Sequence, residues 1–144
     1  MANGLDVTGE VLEWTKKAEE DYFGAKRLIR HRRPTEYNLV CFCAQQCAEK
    51  YLKAFLTAAN KRFEFKHQIE KLILPPCIEI DASFEFIREP VRRLDAYGVD
   101  FRYPGRDADK VEAELALQAA ERVREFTMGK LGLGKKRKTN ERKR

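Results

Sequence analysis

Residues 37–59, YNLVCFCAQQCAEKYLKAFLTAA, constrain this chain more than any other stretch because they are apolar on nearly every side. A surface helix carries one apolar stripe facing the core. Here Val40, Cys41, Phe42, Cys43, Ala44, Cys47, Ala48, Tyr51, Leu52, Ala54, Phe55, Leu56 and Ala58 wrap the whole circumference, so this segment reads as the helix a bundle is built around. The exceptions are not scattered. Gln45, Gln46, Glu49, Lys50 and Lys53 fall at spacings of three, four and seven and form one narrow polar stripe. That stripe either faces water or lines a polar pocket or an interface.

The rest of the chain supplies what such a helix needs. Trp14, Ala18, Asp21, Ala25 and Leu28 repeat in steps of four and three, which predicts a first helix over about 10–31, ended by basic residues and Pro34. The short connection makes it an antiparallel neighbour of the central helix. Asp21 stands on its inward stripe and, if buried, needs a cationic or hydrogen-bonding partner. Ile69, Leu72 and Ile73 suggest short helical turns closed by Pro75-Pro76. Asp81 can cap a helix carrying Phe84, Ile87, Val91, Leu94 and Tyr97, with Pro90 predicting a kink or a break near Phe86. Residues 98–105 read as a loop, and Asp107 or Asp109 caps a last helix with Val111, Leu115, Ala119 and Val123 on successive turns. The expectation is an all-α, four- to five-helix up-and-down bundle in one domain over 1–129.

A net charge of +6 on 144 residues is misleading as a whole-chain value. From Lys130 to Arg144 eight basic residues face the single acid Glu141, so the body is nearly neutral and the basicity belongs to a tail, 130–144, expected to be disordered. Such a tail attracts polyanions without sequence preference, or merely solubilises. No apolar run is long enough for a bilayer, and the N-terminal residues do not read as a secretory leader, so no membrane association and a cytoplasmic location are expected. Cys41, Cys43, Cys47 and Cys77 form no CxxC and pair with no His at a zinc spacing. They read as packed free thiols, with no metal and no cofactor expected.

Four blocks in this order, Trp14/Ala18/Asp21/Ala25, then CFCAQQCAEKYLKAFL, then KHQIEKL and then FRYPG, resemble the HEPN domain family over about residues 10–127. The resemblance implies a helical bundle that dimerises, that binds nucleotides, and that in prokaryotes often assembles with a minimal nucleotidyltransferase as a toxin–antitoxin-like pair. Other branches are metal-independent ribonucleases marked by an Arg followed, four to six residues later, by a His. The chain departs from the family where a Thr-His-Asp block is common: it reads Lys66-His67-Gln68, without the Thr cap or the acidic first-turn residue.

Two sets of candidate residues follow. Gln46, Glu49, Lys50 and Lys53, with Arg102, Tyr103 and Asp21, are candidates for ligand binding: a lysine meets a phosphate as a point charge, while a loop arginine beside an aromatic grips phosphate and stacks on a base. The bland alternative is an i, i+4 Glu49–Lys53 pair on a solvated face, with Arg102 and Tyr103 fastening their loop to Asp21 or Glu49. Arg62 and His67 enclose four residues and match the ribonuclease spacing, with His67 as proton carrier and Arg62 stabilising phosphorane charge. The leading expectation is a non-catalytic, dimeric module for a nucleotide or a nucleotidyltransferase partner. The alternatives are a ribonuclease acting through Arg62 and His67, with RNA as substrate, and an assembly module whose stripe is a dimer seam.

Overall fold

The computed structural model of the chain describes residues 4–63, 67–97 and 104–134. Among them it forms five α-helices and no strand: α1 (Gly9–Arg30), α2 (Tyr37–Ala58), α3 (Leu74–Ile80), α4 (Arg88–Asp95) and α5 (Lys110–Leu131). Three short turns of other pitch precede helices: a 3-10 turn at Pro34–Glu36, a π turn at Ile69–Ile73 and a 3-10 helix at Ala82–Ile87. Side-chain pairings give the directions. Asp21 meets Lys50 while Glu19 meets Tyr51, and Trp14 lies beside Lys53, so α1 and α2 run antiparallel as the short connection requires. Glu19 with Arg124 and Tyr22 with Glu121 set α5 antiparallel to α1.

The central helix is the core. The consecutive residues Tyr51, Leu52, Lys53 and Ala54 are all buried, so every side of α2 is covered there, and Phe55 stacks on Phe84 at 4.4 Å between ring centroids, with Phe84 in turn against Phe126 at 5.0 Å. Truncating one such ring costs about 3–5 kcal/mol. Each long helix ends for a local reason. Asn60 takes φ +58° after α2, where Lys61 N–H bonds back to the Leu56 carbonyl, and Gly132 takes φ +76° after α5, where Leu133 N–H bonds to that of Met128. Asp109, rather than Asp107, caps α5, its carboxylate accepting from the Glu112 N–H at 2.8 Å. Asp107 instead accepts from Asn38 at the start of α2.

Two features differ from the periodicity, and one open alternative is decided. Pro75 and Pro76 do not close the turns at 69–73; they stand at the start of α3, where the absent N–H would have had no partner in the helix. Of the kink or break foreseen in the 82–97 stretch the structure has the break, because Pro90 sits in the first turn of α4 and the residues before it wind as a 3-10 helix capped by Asp81. Val111 is exposed, since α5 buries the neighbouring stripe of Ala113, Ala116, Ala120, Val123, Arg124, Thr127 and Leu131. Helices with alanine stripes approach closely, and that outweighs the wish of one valine to be covered. α5 also runs two residues past the expected end of the body, and Lys130 within it holds Asp81 at 2.8 Å. The basic residues from Lys135 to Arg144 lie outside the described part of the chain.

Candidate functional site

The polar stripe of α2 does not form one open surface. Glu49 and Lys53 are buried, with side chains only 3 % and 5 % exposed, and Lys53 Nζ donates to Glu49 Oε2 at 2.7 Å. The i, i+4 pair foreseen on a solvated face therefore exists, but inside the protein. An ammonium is expensive to bury unless its charge is answered, and here two aromatic rings add to the answer. Lys53 Nζ lies 5.6 Å from the ring centroids of both Trp14 and Phe63, which meet edge to face at 6.0 Å. Trp14 arrives from α1 and Phe63 from the segment leaving α2, so the lid over Lys53 is built from sequence-distant residues whose role periodicity does not reveal.

His67 completes this cluster. Its Nδ1 lies 3.0 Å from both Glu49 carboxylate oxygens. A carboxylate only accepts, so Nδ1 carries the proton and Nε2 is directed away from Glu49. The imidazole is 64 % exposed while its partner is almost wholly buried. A buried Glu–Lys pair thus presents an oriented ring to solvent. One turn along the same edge, Lys50 Nζ donates to Asp21 Oδ2 at 2.7 Å, both groups being half-buried. The carboxylate on the inward stripe of α1 has the cationic partner its position demands. Gln46 is half-buried beside Gln45, to whose side-chain oxygen it donates at 3.3 Å.

A second polar cluster joins α1, α2 and α5, and the sequence reading missed it. Arg124 of α5 forks onto Glu19 of α1 at 2.6 and 3.0 Å, and Tyr51 of α2 donates its hydroxyl to the same carboxylate. Tyr22 stacks under the Arg124 guanidinium at 4.4 Å and donates to Glu121 at 3.0 Å. Burial first, and then the bond to Glu121, pushes the Tyr22 hydroxyl up to about 12, and burial with the Glu19 bond drives Tyr51 higher still. The thiols of Cys41 and Cys47 are likewise pushed up by burial, which makes them poor nucleophiles.

The described residues carry no group of three His, Cys, Asp or Glu side chains placed to hold a metal, and no helix among them is long and apolar enough to cross a membrane. A model of the HEPN domain matches residues 11–131. The chain belongs to the HEPN domain family. Its fold is similar to that of ST0689, an archaeal HEPN homologue, with 27 % identity, a TM-score of 0.65, and coverage of 83 % of this chain and 95 % of that one. It is also similar to TT1696 from Thermus thermophilus, with 22 % identity, a TM-score of 0.67, and coverage of 85 % and 99 %. No functionally curated protein matches it.

In this HEPN chain the candidates fall into three groups. Asp21, Gln46, Glu49, Lys50, Lys53 and His67 come together along the edge formed by α1 and α2. Arg62 is exposed on the segment after α2 and makes no hydrogen bond or ion pair with the described residues. Arg102 and Tyr103 lie outside the described residues.

Proposed function

We propose that this HEPN module is non-catalytic and binds a nucleotide at the α1/α2 edge, acting as a dimer beside a minimal nucleotidyltransferase partner in a toxin–antitoxin-like pair. The observation that carries the ligand site is His67: a largely exposed imidazole whose orientation is fixed by a buried carboxylate. A solvent-exposed side chain ordinarily samples several rotamers, and holding one in place prepares it for contact with something outside the protein. Lys50, half-buried on the same edge, supplies a partly accessible charge, whereas Lys53 supports from beneath. The partner and the dimer rest on family membership alone.

A second reading is favoured by the same contact. A carboxylate that fixes the tautomer of an imidazole is the arrangement used in general acid–base chemistry, so His67 with Arg62 as charge stabiliser suits metal-independent RNA cleavage. Binding is preferred because only one of the two residues is held in place.

Purified protein in chelator, wild type beside His67→Ala, separates the readings when ATP binding and cleavage of labelled single-stranded RNA are scored together. The proposal expects ATP binding by the wild type, its loss in the variant, and no cleavage by either. Equal binding in both proteins removes the site. Cleavage by the wild type alone establishes the ribonuclease reading.

A further inference from the structure

We infer that Asp95, the last residue of α4, is the positioning residue of His67. The inference rests on reading His67 as the ligand-facing group. The argument begins with what holds an exposed ring still. At 64 % exposure packing cannot do so, which leaves the bond to Glu49 and the course of the His67 backbone. That backbone enters the π turn at Ile69–Ile73 through Gln68, which occupies the capping position with extended dihedrals, φ −91° and ψ +93°, and makes no side-chain capping bond. The first amides of a helical segment need acceptors, and among the described residues none next to His67 accepts from those of Ile69 and Glu70.

Asp95 provides them from 26 positions further along the chain. Its Oδ1 accepts from the Ile69 N–H at 2.8 Å and its Oδ2 from the Glu70 N–H at 2.9 Å. Both oxygens are thus committed to successive amides beginning two residues after His67, which fixes the direction of the chain there as well as its position. Bonds from backbone N–H to a carboxylate are among the stronger hydrogen bonds available. The location of Asp95 supports the same assignment. A carboxylate at the C-terminal end of a helix opposes the helix dipole, so Asp95 is unfavourable within α4 and gains only through the partner it reaches. Asp95 does from α4 what a local cap does from within a loop. His67 is thereby held from two sides, its ring by Glu49 on α2 and its backbone by Asp95 on α4.

The chain contains two histidines, His31 and His67, which makes the test direct. In the NMR spectrum of the folded protein the Cε1–H signal of His67 reports its environment, and His31, bonded to Glu36 at the far end of α1, serves as the internal control. Asp95→Asn exchanges the carboxylate for an amide of the same shape. The expected result is a His67 signal displaced toward its position in the urea-unfolded chain, an unmoved His31 signal, and weakened ATP binding. An unmoved His67 signal makes Asp95 a cap for the π turn alone and overturns the inference. Should Asp95→Asn fail to fold, Asp95→Glu, one methylene longer with its charge kept, gives the same two readings. The NMR result needs no ligand. Displacement of His67 in a protein that binds no ATP therefore leaves Asp95 as its positioning residue while removing the nucleotide proposal.

Discussion

Glu19 and Glu49 are carboxylates on neighbouring helices, and each receives two strong donors, but the donors end in different places. Arg124 and Tyr51, which bond to Glu19, are both buried. Of the pair that bonds to Glu49, Lys53 is buried while His67 stands largely in solvent. The first cluster joins α1, α2 and α5, and its geometry serves the bundle. The second uses the same chemistry to hold out a side chain that the bundle does not need. What distinguishes the two is whether every donor to the carboxylate is buried or one of them stands in solvent.

That contrast breaks most visibly at Glu19. Glu19→Ala leaves the Arg124 guanidinium, 11 % exposed, without its forked partner, and the expected loss is about 3–5 kcal/mol in urea unfolding, with ATP affinity retained in the folded fraction. A loss below about 1 kcal/mol would show that the Glu19 cluster does not join the helices. Lys53→Ala comes next. It strips the ammonium from a buried carboxylate that keeps His67 as a donor, so the expected loss is about 2–3 kcal/mol, now with weakened ligand binding. Stability lost without any change in binding would place Lys53 with the structural cluster instead.

A smaller effect separates the clusters by pH. Tyr22 is raised from 10.0 to about 12 by burial and by its bond to Glu121. The folded protein holds a proton there that the unfolded chain releases, so this contribution is complete below pH 10 and is lost as the pH rises toward 12. Tyr22→Phe should flatten the alkaline limb of a stability-against-pH curve in that window, whereas His67→Ala should leave the limb unchanged. The smallest stability effect belongs to His67→Ala itself. With its ring exposed, the change should stay within about 0.5 kcal/mol of wild type while abolishing ATP binding. A large destabilisation would return His67 to the structural class and erase the distinction.

How far these clusters were legible depends on what each signal measures. α2 and α1 follow from periodicity because burial dominates both, and the pairing of Asp21 follows from its place on an inward stripe. The Glu19 cluster left a trace that was easy to pass over. Ala113, Ala116, Ala120, Arg124, Thr127 and Leu131 share the spacing of a helix face, and an arginine on such a face calls for an acid. The more hydrophobic positions starting at Val111 suggested a different stripe, but close alanine packing decided which one was buried. The Trp14–Phe63 cover and the Asp95 clamp left no local trace. They depend on residues brought together from 49 and 26 positions apart, and no spacing rule reaches that far. The prolines misled for the opposite reason: Pro75-Pro76 is a stop signal inside a helix and a start signal at its first turn, and only the fold decides which applies.

The central claim is that His67 is held out for a ligand rather than for the fold. Titrating the wild-type protein with ATP in chelator while following the two histidine Cε1–H signals tests it most directly. The account predicts a saturable displacement of the His67 signal with His31 unmoved. A saturable response at His31 with His67 silent, or no response at either up to millimolar ATP, would contradict it.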